Sequence, residues 1–254
     1  MKPFECIHDQ AAANLLFDTA KAWLAEQGME AMDGPINFGE RDRWWGLITK
    51  GFTPPLYCMN YNQPYCINLF ENYGFKLFFN QVCFGLIAQK PIAKKTLERH
   101  AIHEANPDIS METIKKNNLE KYAVDFVEVY NKAWAGHGGL KQLSKDQVLL
   151  MFKKMKPVMD EKILYFAYHK GKPVAMFINL PDINQYFRHF NGRFGLWQKL
   201  EFVFRQKFRP STMFVGLVFG VVPEWQGKGI DAYIIGECRK IVQAPPYLYQ
   251  EYEM

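Results

Sequence analysis

One feature constrains the fold of this chain most. It is an apolar run that ends in a glycine-containing turn and continues directly as a helix. The strand-like run Met213 to Val222 is followed by Gln226-Gly227-Lys228-Gly229 and then by a helix-like run, Ile230 to Val242. Glycine lets the backbone turn tightly and leaves no side chain in the way of a close ligand. The first N–H groups of a helix have no intrahelical partner, so the junction predicts an anion-binding site.

Composition limits the class of protein. The 254 residues are 48% hydrophobic, which is enough for sizeable cores in one large or two small domains. No apolar run approaches the roughly 18 residues of a membrane span, and the first residues do not resemble a signal peptide. The net charge of +5 suits a phosphate-bearing ligand without requiring nucleic acid. The five cysteines show no zinc or disulfide spacing, so we expect reduced thiols and a cytoplasmic protein. They are Cys6, Cys58, Cys66, Cys83 and Cys238.

The second half of the chain shows a regular order of predicted elements before the glycine turn. Periodicity and turn residues predict a strand, two helices, a hairpin and a mostly helical segment. Ser144 is the predicted N-cap of the second helix. The predicted ranges are Ile109–Ile114, Tyr122–Trp134, Ser144–Met155, the hairpin Ile163–Tyr168 with Val174–Leu180, and Asp182–Phe208.

The glycine turn resembles the Arg/Gln-x-x-Gly-x-Gly/Ala signature of the GNAT acyltransferase superfamily. Gln226 and Gly229 match the signature, whereas Asp231 stands where the superfamily has glycine or alanine. The element order is also that of a GNAT domain, so the resemblance covers Pro107–Met254. It implies an α/β (α+β) fold with a mixed, mainly antiparallel sheet flanked by helices. It also implies an acyl-CoA-dependent N-acyltransferase, with acetyl-CoA or another acyl-CoA as co-substrate and no metal.

The resemblance assigns the coenzyme site to the end of the strand and the start of the helix. The coenzyme phosphates would bind the free N–H groups, and strand N–H groups near Val221 and Val222 would polarise the thioester carbonyl. Asp231 either competes with a phosphate for the positive end of the helix or caps the helix, and we favour the cap. The implied residues are Val221, Val222, Gln226, Gly227, Lys228, Gly229, Ile230, Asp231 and Ala232.

The catalytic groups are less well defined. GNAT enzymes position a general base and often a tyrosine that protonates the leaving thiolate, and in this chain that tyrosine's usual place falls after Met254. Asp182 and Glu224 are weak candidates for the base, and a solvated turn carboxylate or a surface side chain is the favoured interpretation of both. Tyr65 is a weak candidate for an acid supplied by the first half.

The first half of the chain resembles the C-terminal part of another GNAT domain. The run Tyr65–Phe75 resembles the late GNAT helix, and Ala11–Met32 repeats the helix, break and short strand of Asp231–Met254. The whole chain is similar to an uncharacterised bacterial tandem-GNAT group whose members are longer at both ends. We therefore expect a partial unit at 1–90, a linker helix at 91–106 and an acyl-CoA-binding unit at 107–254. Strands within Phe75–Ile87 should pair beside the strand Glu251–Met254, within one chain or between two copies.

Other patterns leave alternatives open. A coenzyme-binding or scaffolding module without turnover is the second hypothesis for function, and a basic binder of nucleic acid is the third.

His100 and His103 could hold a metal, but a surface pair is favoured. Basic residues interleave with aromatic ones near the end of the long helical segment, which suits nucleic acid, anionic lipid or an aromatic stripe packed on the sheet. We favour packing, and expect no nucleic acid or membrane partner and an optional homodimer. These residues are Lys199, Phe202, Phe204, Arg205, Lys207, Phe208 and Arg209.

Overall fold

A computed structural model describes residues 4–35, 46–57, 59–134 and 141–243, and the backbone of 249–252. The chain divides into two compact units, Met1–Gln81 and Val82–Met254. This boundary lies earlier than the predicted one at residue 90, because the elements that follow Gln81 pair and pack within the second unit.

The first unit is built on two helices, α1 (Gln10–Glu26) and α2 (Cys66–Tyr73). The Asp9 carboxylate accepts a hydrogen bond from the Ala12 N–H at 2.8 Å, which caps α1. Aromatic rings fill the core between the helices. The predicted short strand at Met29–Met32 is wrong, and of the segment Phe75–Ile87 predicted to contain strands only Phe84–Ile87 forms one.

The second unit contains a sheet and six helices within the described residues, together with two short 3₁₀ turns. Ser144 caps its helix as predicted, and the Gln147 side chain completes a capping box. In chain order the elements are β1 (Phe84–Ile87), α3 (Lys94–Glu104), β2 (Ile109–Thr113), α4 (Leu119–Trp134), α5 (Lys145–Met155), β3 (Leu164–His169), β4 (Lys172–Pro181), α6 (Asn184–Phe187), α7 (Leu196–Phe208), β5 (Met213–Val221), α8 (Ile230–Val242) and β6 (Tyr249–Tyr252).

The strands form one sheet in the order β1-β6-β5-β4-β3-β2. All neighbours are antiparallel except β5 and β6, so the predicted mainly antiparallel sheet flanked by helices is confirmed. The predicted pairing of a first-half strand with the last strand is found within one chain, because Phe84 lies opposite Tyr252. Glu253 and Met254, which end the predicted last strand, lie outside the described residues.

Helices cover both faces of the sheet. On one face, the Phe166 ring of β3 stacks on Tyr122 of α4 with centroids 5.9 Å apart. On the other face, α8 packs on β3, with its Ile234 and Cys238 buried in the same core cluster as Tyr165. Neighbouring residues of a strand point to opposite faces, so the two helical layers follow from the alternation along β3. Within the described ranges, no helix is long and apolar enough to cross a membrane.

Helix α3 packs on α8 and is not an exposed linker. His100 and His103 are 6% and 8% exposed, so the predicted surface pair is wrong. The His100 Nε2 atom lies 2.7 Å from the Glu237 carboxylate of α8. A Cβ at Gly236 would overlap the His100 ring, so the glycine allows the close approach of the two helices.

We expect Gly236→Ala to destabilise the protein, although alanine normally favours a helix interior over glycine by about 1 kcal/mol. The new methyl group would displace the His100 ring, and overpacking of this kind costs about 1–3 kcal/mol. Urea unfolding measures the effect. Combining the change with His100→Ala should recover the stability that the clash removes, whereas a more stable Gly236→Ala variant would contradict the packing argument.

Candidate functional site

The glycine turn joins β5 to α8 through backbone conformations that only glycine adopts easily. A single 3₁₀ turn, Pro223–Trp225, follows β5 and leads into the turn 226–229. Gly227 and Gly229 have φ angles of 72° and 87°, in the left-handed region. Any other residue at these two positions would strain the backbone.

The turn leaves backbone donors unpaired. Among the described residues, none accepts a hydrogen bond from the N–H groups of Gly227, Gly229, Ile230, Asp231 or Ala232. The first bond of α8 runs from the Tyr233 N–H to the Gly229 carbonyl oxygen at 3.2 Å. The positive end of the helix dipole lies at the same place, so the arrangement favours a bound anion.

Side chains from three elements hold the turn in this shape. The Gln226 side-chain amide donates to the Val221 carbonyl oxygen at 3.1 Å, which ties the turn to the end of β5. The Nε2 atom of His103 lies 2.7 Å from the Lys228 carbonyl oxygen, so the Nε2–H tautomer of this α3 residue donates to the turn. The Trp225 ring lies between His103 and His169, with centroids 6.1 and 4.9 Å away.

This support from α3 was missed in the sequence. The i, i+3 spacing of His100 and His103 was a signal that both face one way, but the spacing does not reveal which element they face. Only the packing of α3 on α8 brings His103 to Lys228.

Charges of both signs border the turn. The Lys228 ammonium lies 5.6 Å from the Trp225 ring centroid, and the stem of the exposed Arg99 side chain packs beside Gly229. Asp231 is half-buried, and its carboxylate makes no hydrogen bond to any residue that the structure describes. The favoured capping hydrogen bond is therefore not found, and the effect of Asp231 on the helix is through its charge alone.

The register of β4 and β5 decides which backbone groups face the open edge of β5. The Val222 N–H donates to the Val174 carbonyl oxygen at 3.0 Å, so this N–H is used within the sheet and the expected role of Val222 as a thioester donor is wrong. Bonding alternates along an antiparallel pair, so the backbone N–H and C=O of Val221 point away from β4. Strand β6 pairs with β5 only from Met213 to Gly216 in the described residues, which leaves the Val221 end of that edge open.

Aromatic side chains line both faces of β5 near this edge. The Trp134 ring at the end of α4 lies against Gly220, where a Cβ would overlap it. On the opposite face, Phe219 packs on Phe177 with ring centroids 5.0 Å apart. A group lying along the open edge would therefore meet apolar walls beside free backbone donors.

The three candidate catalytic side chains occupy different places. Glu224 is exposed in the 3₁₀ turn beside the glycine turn, and its charge adds to that of Glu128 in raising the pKa of Lys132. Asp182 is buried where β4 ends, and its carboxylate accepts from the Asn184 N–H at 3.0 Å.

Asp182 lies beside Met213, about 25 Å along β5 from the glycine turn at the usual rise per residue. Tyr65 belongs to the first unit, where its hydroxyl donates to the Cys6 carbonyl oxygen at 2.8 Å. Of the two candidates in the second unit, only Glu224 lies beside the glycine turn.

A buried acid–tyrosine pair on the α4 face was not predicted. Tyr168 donates to the Asp125 carboxylate at 2.6 Å. Burial raises the pKa of both groups, and it raises the pKa of the neighbouring Tyr122 to about 12. Both tyrosines are protonated at neutral pH, and Asp125 accepts the hydrogen bond from Tyr168. This hydrogen bond stabilises the core contact between α4 and β3.

Two further features of the described residues are a charged cluster in the second unit and a cavity in the first. His100, Glu104 and Glu237 gather between α3 and α8, but the Lys240 ammonium bonds both carboxylates at 2.5 and 2.6 Å and so already occupies their oxygens. A cavity of about 770 Å³ lies within the first unit, lined by the end of α1, residues 29–35 and residues 73–81 among others.

Comparison with known proteins gives distant relatives. No protein-family profile matches the chain. The chain is 24% identical over 204 residues to Protein YghO of Escherichia coli, covering 77% of this chain and 50% of that protein. It is 24% identical over 197 residues to a bacterial ceramide synthase of Caulobacter vibrioides, covering 76% and 50%. The chain thus spans about half the length of the curated relatives that it matches.

Two of the solved structures that the chain matches are named N-acetyltransferases. One is a GCN5-related glucosamine N-acetyltransferase region of a fungal multi-domain β-N-acetylglucosaminidase, with a TM-score of 0.49 and 14% identity over 93% of this chain and 24% of that one. Another is a GCN5-related N-acetyltransferase of Sphaerobacter thermophilus, with a TM-score of 0.45 and 14% identity over 76% and 47%. The element order of the second unit is the GNAT order predicted from sequence, and its fold is GNAT-like.

Proposed function

We propose that the second unit is an acyl-CoA-dependent N-acyltransferase that acylates an amine. The observation that carries this proposal is the set of unpaired N–H groups at Gly227 and from Gly229 to Ala232, which follows the open edge of β5 in the described residues. In the proposed complex the coenzyme pyrophosphate binds these N–H groups and its thioester arm lies along β5. The Val221 N–H donates to the thioester carbonyl oxygen, where charge develops during acyl transfer.

The proposed reaction needs a base. A lysine-type amine has a pKa near 10.4, so only about one molecule in a thousand is a free nucleophile at neutral pH. We assign the base to Glu224, acting through water, because it is the exposed carboxylate beside the turn. Glu224 takes one proton from the ammonium through water, and the neutral nitrogen attacks the thioester carbonyl. The C–S bond then breaks, and the leaving thiolate takes the second proton from the nitrogen to give the amide and coenzyme A.

We propose that the first unit is the C-terminal part of another GNAT-like unit. Its α2 ends at Gly74, which has a φ of 113°, and Phe75 then enters the aromatic core. This is the helix-Gly-Phe arrangement that the sequence resemblance assigns to the late GNAT helix. The first unit has no glycine turn before α1, so we propose that only the second unit binds coenzyme.

The acceptor is best sought among amines of several classes. One relative is named a ceramide synthase, and ceramide is the N-acyl derivative of a long-chain amino alcohol. We therefore include a sphingoid base in the acceptor panel beside polyamines, amino sugars and a lysine peptide. Thiol release from acetyl-, octanoyl- and palmitoyl-CoA reports turnover with each acceptor.

Thermal-shift and calorimetric titration with these acyl-CoAs test the coenzyme site directly. A ligand at 100 times its dissociation constant adds about 2.7 kcal/mol of stability, which is a clear shift in melting temperature. Binding together with thiol release supports the enzyme. Binding without acylation of any amine would favour the silent coenzyme-binding module, and the absence of binding would refute both.

We predict that Gly227→Val or Gly229→Val abolishes coenzyme binding while the fold survives. A β-branched residue is strained at these positive φ angles and would turn the free N–H groups away from the phosphates. Gly171→Val is the matched control, because Gly171 has a similar φ of 75° in the β3–β4 hairpin. Calorimetry should show wild-type affinity in the control, and unchanged affinity in the turn variants would refute the site.

We predict that Asp231→Asn tightens coenzyme binding about threefold at low salt, because a like charge about 7 Å from a phosphate costs about 0.6 kcal/mol in water. The gain should shrink as salt screens the repulsion. The same change removes a favourable charge from the first turn of α8, so the unfolding free energy should fall by about 0.3–1 kcal/mol. Equal affinity at all salt concentrations would show that Asp231 lies away from the phosphates.

A further inference from the structure

Most of the large apolar side chains of helix α7 face away from the protein core. It lies in the insertion between β4 and β5, and only Phe202 of the helix is buried, among Tyr186, Phe187 and Phe190. The Gln206 side chain on the same side donates to the Pro157 carbonyl oxygen. The predicted packing of the aromatic stripe on the sheet is therefore wrong, because Phe202 packs within this separate cluster and Phe204 and Phe208 are exposed.

The outward face of α7 is apolar. At 100° per residue, its large apolar side chains cover an arc of about 140° that faces away from Phe202. They are more than half exposed, whereas the outward face of an ordinary surface helix is polar. The residues are Leu196 (79%), Trp197 (80%), Leu200 (64%), Val203 (61%), Phe204 (55%) and Phe208 (61%).

Positive charge is concentrated around the same helix. Residues 188–209 contain six basic residues and one acidic residue, a net charge of +5. The net charge of the whole chain is also +5, so the rest of the chain is neutral overall. The Lys207 ammonium, which lies within the apolar arc, is 5.4 Å from the Phe208 ring centroid, and a long lysine stem can carry its charge to the rim of an apolar surface.

We infer that this face of α7 docks on the surface of an anionic phospholipid membrane. Tryptophan, phenylalanine and leucine on one face of a helix with lysine and arginine around it are the composition of helices that lie in the membrane interface. The apolar side chains enter the boundary between headgroups and acyl chains, while Lys199, Lys207 and Arg209 contact lipid phosphates. Nucleic acid would not be expected to cover an apolar face of this size.

This inference reverses the expectation that the chain has no membrane partner, and it does not depend on the proposed enzyme activity. The insertion joins the sheet at Met213, at the opposite end of β5 from the glycine turn. A membrane bound through α7 would therefore leave the glycine turn accessible from water.

Vesicle flotation with the 254-residue chain tests the inference. We expect binding to vesicles of phosphatidylcholine with 30% phosphatidylglycerol and little binding to pure phosphatidylcholine. Lys199→Gln, Lys207→Gln and Arg209→Gln together should weaken binding about a hundredfold, because each basic residue near the surface contributes about a fivefold factor. Trp197→Ser with Leu200→Ser should weaken it at least tenfold.

The control is Leu150→Ser on α5, which removes an apolar side chain with 54% exposure outside the docking face and should bind as the wild type. Circular dichroism establishes that each variant is folded. Equal binding to both vesicle types, or wild-type binding by the Trp197→Ser, Leu200→Ser variant, would overturn the inference. So would a wild-type dimer that this variant converts to a monomer without any vesicle binding, or binding to duplex DNA in place of vesicles.

Discussion

The hydrogen-bond register between β4 and β5 is the constraint on which the candidate site depends. Because the Val222 N–H bonds Val174, the backbone groups of Val221 face the opposite edge, where β6 leaves the strand open. Strand β5 therefore ends at a fixed position relative to β4, and the chain continues through the 3₁₀ turn into the glycine turn. A shift of one residue would bury the Val221 groups in the sheet and move Gly220 from under the Trp134 ring.

The glycine turn is held in place by a side chain from another helix, α3. The carbonyl oxygen of Lys228 accepts from His103 of α3, and the close approach of α3 to α8 depends on the absence of a side chain at Gly236. The ion pair of Lys240 with Glu104 joins the same two helices. Free N–H groups alone make a weak anion site, and the rigidity supplied by α3 is what allows them to point together at one ligand.

The insertion between β4 and β5 gives the second unit two distinct surfaces. At one end of β5 the glycine turn presents backbone donors to water, and at the other end α7 presents an apolar face with a basic rim. The buried side of the insertion is small, since Phe202 is the one core residue that α7 contributes. Its stability therefore rests on a separate cluster with Tyr186 and Phe190, which leaves the outward side chains unconstrained by packing.

The sequence alone determined the elements whose signals are local. The start and end of α8, the Ser144 cap, the hairpin around Gly171 and the glycine turn all follow from turn residues, caps and periodicity, and they gave the GNAT order. Only the tertiary structure decided where helices present their faces and which backbone groups remain free. Periodicity shows that His100 and His103, or the aromatic residues of α7, share a side, but it does not show whether that side meets protein or solvent. That choice depends on contacts between residues far apart in the chain, such as His103 with Lys228, and no local pattern records them.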